Sequence, residues 1–490
     1  MEQIDLKLKI HERTPAAAEF DRAAHWIVVV PPGELPRRLP HAALLRQRMQ
    51  RTARKDSDSE PFVTQLPDAV GTRVALARVR ADLAQFDLLT LARKLVVAHA
   101  AQRAAELHVL IAGFTAAQRE RIAEALYAAA LAAAAAMPSY RRKTEQPALR
   151  ALHLHGGPDS PRFARTRAEA EGNALARRLT VLPSNHLTPA DYLKQVRALA
   201  RRHGWRLVFH DLRALRRLGA GAFCAVAQGS PEPDAGIVHL RYAPRGRGGA
   251  PVALVGKGIC FDTGGVNLKT GQYMYGMHGD MQGSAVALGI LHALTRLRVR
   301  FPVDCWLALA MNHIGPRAYK PNDVVTTVNG VSIEVVDTDA EGRMVLSDTL
   351  ALAARRRPRL ILDFATLTGA CKRALGNGMS GVFTNRELWV QRLIETGRQS
   401  GERVWPFPLD EDYDQALESE IADVKQCASE PGPDHIHAAR FLGRFVGDVP
   451  WIHMDLSAGG HKGGLGHVPT TKTGFGVRFT LNLLLDQELV

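Results

Sequence analysis

The chain has 490 residues, 46% of them hydrophobic and 23% charged, with a formal net charge of +14. That length implies two or three domains, and the balance excludes a disordered or fibrous chain in favour of a globular one with a sizeable core. No apolar stretch is long enough to cross a bilayer, the nearest (residues 123–137) being mostly alanine, and the charged N-terminal segment 1–14 lacks the apolar centre of a secretory signal.

In chain order, residues 26–30 (Trp, Ile and three Val) form an apolar run ending at Pro31, Pro32 and Gly33, which predicts a buried strand. Residues 73–79 and 106–113 predict two more strands, and residues 88–101 and 116–137 have helical length and composition. Residues 55–60 are polar and predict a loop. His153 and His155 alternate with Leu152 and Leu154, which puts both on one side of a strand. Histidines so placed serve at a surface or in packing more often than as ligands. Alternating strands and helices describe a smaller N-terminal α/β domain over residues 1–170, with no catalytic motif. Residues 166–179 predict the helix leading into a second domain, residues 171–490. There Thr188 caps a helix whose first residue is Pro189.

Beyond it, apolar runs at 252–256, 303–311, 360–365 and 451–456 are separated by helical segments such as 284–297 and 344–354. This predicts an α/β catalytic domain, a mostly parallel sheet wrapped by helices. Ligands gather at the carboxyl ends of such strands. Polar residues fall there: Lys257 directly after the first run, Thr366 after the third and residues 457–460 after the fourth.

The five cysteines (Cys224, Cys260, Cys305, Cys371 and Cys427) are scattered and form no CxxC pair. A reducing compartment is expected, without a disulfide framework or a cysteine zinc site. The positive charge admits nucleic acid as a partner. The arginines, however, are spread along helix-like stretches, as at Arg197, Arg201 and Arg202, and solvated helix faces account for them better.

The densest chemistry lies at residues 337–343. Asp337, Asp339 and Glu341 crowd together, and Gly342 and Arg343 follow. Negative charges that close repel unless something positive sits among them. In a loop, Asp339 and Glu341 can converge on a hard divalent cation; a solvated acidic turn before a helix fits the segment equally well. Upstream, residues 256–269 interleave glycines with Lys257, Asp262 and Lys269, and Asp280 follows. The phosphate-loop pattern GxxxxGK[ST] is not met there, and no HExxH helix occurs to make a histidine a ligand.

These segments are similar to the motifs of the leucyl aminopeptidase (cytosol aminopeptidase) family of two-metal exopeptidases. The resemblance covers roughly residues 180–480. It is carried by Thr338-Asp339-Ala340-Glu341-Gly342-Arg343, by residues 256–269 with Asp280 at the family's spacing, by Ala365-Thr366-Leu367-Thr368-Gly369-Ala370, and by Thr473-Gly474-Phe475-Gly476-Val477-Arg478.

The resemblance implies a metal-dependent aminopeptidase releasing N-terminal amino acids from peptides, with leucine-like residues preferred. It implies two divalent ions per subunit, manganese or zinc, with magnesium or cobalt also suiting oxygen-rich ligands. Asp262 and Glu341 would bridge them, Lys257 and Asp280 would complete one site, and Asp339 the other. A hydroxide between ions about 3.5–4 Å apart would attack the carbonyl carbon, and the substrate's α-amine would bind one ion. Lys269 would steady the oxyanion, and Arg343 would hold a bicarbonate that shuttles protons. Met277, Thr366, Gly369 and Ala458 would line the pocket for the N-terminal side chain, with the Leu367 carbonyl facing the substrate. Read by residue type alone, Lys257 fits a salt bridge to Asp262 or Asp280, Lys269 and Arg343 fit ordinary pairing with carboxylates, and the pocket residues fit core packing. A homohexamer and a cytoplasmic location also follow from the resemblance, with no membrane partner. A dipeptidase with the same metal site and a DNA-binding protein on this fold remain as alternatives. The chain departs from the family pattern at Asp337, where asparagine is usual, at His435 and His437 after Pro431-Gly432-Pro433, and at His461.

Overall fold

The computed structural model describes residues 4–52, 60–143, 146–157, 159–244 and 248–487; the loop read at 55–60 lies outside the described residues except for Glu60. The chain forms two compact units, one of Met1–Glu171 with Lys462–Thr471 and one of Gly172–His461 with Lys472–Val490.

The first unit is built on β1 (Lys7–His11), β2 (His25–Val30), β3 (Phe62–Gln65), β4 (Arg73–Arg78), β5 (Glu106–Ile111) and β6 (Ala151–His155). Their order is β1-β6-β5-β2-β4-β3. Every neighbouring pair is parallel except β3 with β4. β2 is buried from Trp26 to Val30, as its unbroken apolar run requires of a strand covered on both faces. Helices Gln85–Val97 and Ala116–Ala134 pack against each other. The second starts at a capping box, in which Thr115 accepts the Gln118 amide, and it ends ahead of the 137 read from composition.

The second unit carries β7 (Arg206–Asp211), β8 (Gly236–Tyr242), β9 (Val252–Asp262), β10 (Val303–Asn312), β11 (Val324–Thr326), β12 (Ser332–Glu334), β13 (Leu360–Ala365), β14 (Ser380–Thr384), β15 (Val404–Pro406), β16 (Val424–Lys425) and β17 (Trp451–Asp455). Eight of them form one sheet in the order β15-β14-β17-β13-β9-β10-β8-β7, and β11, β12 and β16 form a small second one. The central four, β17-β13-β9-β10, are parallel; β8, β7 and the β14–β17 pair add antiparallel flanks. The α/β class and mostly parallel catalytic sheet expected from the sequence are what the chain adopts.

Two buried helices cover this sheet centre. Glu341–Ala354 packs with Ala253, Val255, Ile259, Ala308 and Ile361 in one apolar cluster. Gln282–Arg296 lies against the alternate positions. A Cβ on Gly256 would meet Ser284 at 2.4 Å, and one on Gly283 would meet the Phe364 carbonyl at 2.0 Å. One expectation needs correcting: Lys257 does not follow its strand but lies inside it. β9 continues to Asp262, because residues 256–262 stay paired with β10 from Gly256↔Leu307 to Asp262↔Asn312. Partner pairing thus overrides a composition that looks like a loop.

Candidate active site

The functional side chains sit where the central strands end. β9 delivers Lys257 from its interior and Asp262 from its last position. Lys257 points toward the helix Glu341–Ala354, whose first turn must therefore be open. Gly342 provides the opening, since a Cβ there would lie 2.6–2.9 Å from the end of the Lys257 side chain. After Asp262 the chain reverses through Gly264 (φ +87°) and Gly265 (φ +67°), a left-handed pair that suits glycine. The reversal is tied down by Thr338, whose hydroxyl donates to the Gly264 carbonyl at 2.7 Å, and it returns the chain to Lys269.

The acidic segment behaves partly as each of its two readings foresaw. Glu341 opens a helix, where a carboxylate favours the positive end of the dipole. Asp339 stays in the preceding loop, and the two converge with Asp262: one carboxylate oxygen from each lies within 4.8 Å of the others. Lys257 Nζ stands 2.7 Å from both Asp280 Oδ2 and Glu341 Oε1. Lys269 Nζ stands 2.9 Å from Asp262 Oδ2 and 2.5 Å from Asp339 Oδ1. Asp280 is further held by the Thr366 hydroxyl at 2.7 Å. The four carboxylates and two lysines named from the motifs are thus brought together from distant stretches.

The electrostatics show a site short of positive charge. Glu341 and Asp280 are driven above the usual carboxylate range by burial and by the charge of Asp262, against the pull of Lys257. Asp339 is pushed up to about 6 by burial and Asp262, with Lys269 opposing. Burial works against the Lys257 ammonium, but Asp280, Glu341 and Asp262 outweigh it and raise its pKa. Asp280 Oδ2, Asp339 Oδ1 and Glu341 Oε1 are buried and lack an aligned hydrogen bond, although an ammonium stands within ion-pairing distance of each. Buried anionic oxygens left in that condition fit additional cations, and an all-oxygen set with one amine suits divalent ones.

Several supporting residues went unnoticed in the sequence. Asn312 donates to Asp262 Oδ1 at 2.8 Å and to the Thr338 carbonyl at 2.9 Å, orienting the carboxylate between strands. Asp455, at the end of β17, accepts from the Leu367 amide at 3.0 Å and the Thr368 hydroxyl at 2.7 Å, fixing the loop after β13. Asp434 meets Arg343 Nη2 at 2.7 Å. Each is a single polar residue without a local pattern, and no signal in the chain marks it. Asp337 accepts the Asp339 amide at 2.8 Å, and its charge adds to those that raise the Asp339 pKa. Of the residues expected to line the substrate pocket, Met277, Thr366 and Leu367 are half-buried, Gly369 is exposed and Ala458 is fully buried. His435 packs edge-on to Phe407, with ring centroids 4.4 Å apart.

Residues 174–481 match the catalytic-domain model of the cytosol aminopeptidase family. A probable cytosol aminopeptidase of Acidovorax sp. (strain JS42) is 42% identical over 336 residues, covering 69% of this chain and 67% of that protein. Another, from Acidovorax ebreus (strain TPSY), is 41% identical over 354 residues, covering 71% and 70%. A solved lysine-to-glutamate variant of tomato leucine aminopeptidase matches 99% of this chain and 98% of its own, with a TM-score of 0.85 at 26% identity. Fold, acidic centre and relatives together define a metal-dependent peptide hydrolase. The chain belongs to the cytosol aminopeptidase family and is an aminopeptidase of the leucyl type.

Proposed function

We propose that this aminopeptidase releases leucine-like and methionine-like residues from peptide N-termini with two manganese or zinc ions. Magnesium and cobalt suit the same donors. The observation that carries the reading is the meeting of Asp262, Asp280, Asp339 and Glu341 around two lysines. Lys257, Asp262, Asp280 and Glu341 would hold one ion, and Asp262, Asp339 and Glu341 the other. When bound, such a pair supplies an activated water at neutral pH and a Lewis acid for the scissile carbonyl. Lys269 stays protonated and presents its ammonium to the oxygen that gains charge. Thr366, Leu367 and Gly369, on the loop held by Asp455, face the substrate together with Met277, and Ala458 backs the pocket. Turnover of leucine and methionine p-nitroanilides with added manganese or zinc, and none of their N-acetyl forms, is the expected result. Hydrolysis of dipeptides alone would return the dipeptidase alternative.

Metal uptake should release protons. Three carboxylates raise the Lys257 pKa, so the metal-free side chain carries a proton that it must lose to become a ligand. Affinity therefore rises with pH. Calorimetric titrations in two buffers of different ionisation enthalpy should give a net proton release; equal heats would remove Lys257 from the ligand set.

Arg343 has an anion beside it already. Burial works against the Asp434 carboxylate, but Arg343 outweighs it and holds its pKa below the usual range. In this reading Asp434 takes the anion place beside Arg343 that a bicarbonate would otherwise occupy. Wild-type turnover should be indifferent to added bicarbonate. Asp434→Gly should lose about 10²-fold in kcat and recover part of it with bicarbonate. Stimulation of both proteins alike would assign the place to the free ion.

A homohexamer and a cytoplasmic setting complete the reading. Leu268, Tyr273 and Tyr275 stand exposed on the segment after β9, an apolar surface suited to contact between subunits. The relatives are named as cytosol enzymes. All five cysteines are free and buried. Among the described residues, no helix is long and apolar enough to cross a membrane.

A further inference from the structure

The first unit holds a second cluster of ligand-type side chains, made of imidazoles. On neighbouring parallel strands, Lys9 and His11 of β1 lie opposite His153 and His155 of β6, and His108 of β5 lies opposite His153. Period-two alternation sends all of them, with Glu106, to one face of the sheet. The histidines that the sequence suggested were packing residues therefore have partners on both flanking strands, which sequence order conceals.

The contacts are close. His11 Nε2 lies 3.0 Å from His153 Nδ1, and His108 Nδ1 lies 3.0 Å from His155 Nε2. The rings stack, at 4.4 Å for His11 with His155 and 4.2 Å for His108 with His153. Trp26 walls the cluster, 4.9 Å from both His108 and His155. One ligand nitrogen from each of His11, His153 and His155 lies within 4.8 Å of the other two. Two nitrogens on one tetrahedral zinc are about 3.3 Å apart; His11 and His153, at 3.0 Å, already have nearly that spacing, and ion binding would draw in His155, whose nitrogen lies within 4.8 Å of theirs. Glu106 Oε2, 3.6 Å from His153 Nε2, stands where a carboxylate orients a ligand histidine that binds through its other nitrogen. Lys9 is an adverse charge, 3.4 Å from His153 Nε2, and it is paired with Glu106 at 3.5 Å.

We propose that His11, His153 and His155 bind a late first-row transition ion of the zinc, copper(II) or nickel class, with Glu106 and His108 in support. Imidazole nitrogens select these ions over the hard cations suited to carboxylates. The geometry suits such an ion: three imidazoles on two adjacent strands bring a ligand nitrogen each into one 4.8 Å neighbourhood. β1 is the edge of its sheet. An ion shared by β1 and β6 pins that edge in register, which is a structural role outside the peptidase reaction.

The test uses the full chain. Wild type, His153→Ala and His11→Asn are equilibrated with excess zinc, freed of loose metal by gel filtration and analysed for zinc per subunit. The expected result is about one more zinc in wild type than in either variant, with aminopeptidase turnover retained in all three. Copper(II) added to the zinc-free protein should show nitrogen hyperfine structure from more than one imidazole, lost in both variants. His11→Asn changes a half-buried residue at a strand end, so it decides the matter where His153→Ala folds poorly. Equal zinc in wild type and His11→Asn, or a copper spectrum unchanged by that variant, would overturn the proposal.

Discussion

Glu341→Ala should reduce turnover to the detection limit and lower the metal content of the purified protein from about two ions per subunit to fewer than one. Glu341 is 1% exposed, stands 2.7 Å from the Lys257 ammonium and shares a 4.8 Å neighbourhood with Asp262 and Asp339. With Asp262 it would belong to both of the proposed ligand groups, so its removal should open both. Loss of fold has a distinct signature. Burial and the charge of Asp262 raise the Glu341 pKa well above its unfolded value. A carboxyl shifted that way contributes stability that is full below the unfolded pKa and is lost as pH rises toward the folded one. At neutral pH, above the unfolded pKa, this carboxyl is therefore a burden on the metal-free fold. Metal-free Glu341→Gln should melt no lower than metal-free wild type at pH 7, while failing to gain the metal-dependent rise in Tm that wild type shows. A variant that keeps two ions and its turnover would remove Glu341 from the centre.

That burden also explains what was readable in the chain. Sites that concentrate like charge draw notice locally, as Asp339 with Glu341 did, but the segment alone fits a solvated acidic turn equally well, and the glycine-rich stretch with Lys257, Asp262 and Lys269 upstream is what separates the two. The central strands were readable for a similar reason. Strands covered on both faces, such as β13 and β17, are nearly continuous apolar runs. β7, the half-buried edge strand, and β8 beside it, whose apolar residues are interrupted by His239, carry no such run. The end of β9 was hidden because Gly256, Lys257 and Gly258 look like a loop, and only register with β10 makes them strand. Asn312 and Asp455 orient the Asp262 carboxylate and the loop after β13 from neighbouring strands. Their significance exists only across the sheet, in a dimension that linear spacing does not encode. Asp434 is a sharper instance. The prolines before it mark an altered loop, yet nothing near it in sequence says that its carboxylate meets Arg343, ninety-one positions earlier.

Lys269→Ala should leave both ions in place and lower kcat by about 10²–10³-fold, the range for losing one preorganised donor to a developing oxyanion. The side chain is positioned for that role by the reversal at Gly264 and Gly265, which returns the chain so that the Lys269 amide donates to the Thr263 carbonyl at 2.9 Å. Its ammonium lies 2.9 Å from Asp262 Oδ2 and 2.5 Å from Asp339 Oδ1. Divalent ions on those carboxylates would compete with it and leave the ammonium to face the substrate. Removing it therefore takes a positive charge away from a cationic centre, and metal affinity should hold or tighten rather than fall. That sign separates the two roles open to Lys269. A lysine serving only to neutralise the carboxylates would, when lost, change metal affinity with little effect on the turnover of saturated enzyme. A lysine acting on the reacting carbonyl would show the reverse, with kcat reduced and metal content unchanged. Lys269→Arg sharpens the distinction, because it keeps the charge but replaces a compact ammonium by a planar fork that cannot take the same position. If charge alone matters, arginine should restore most of the rate; if the position of the donor matters, it should restore little. The second outcome is expected, read as kcat on leucine p-nitroanilide with the metal content of each sample measured alongside.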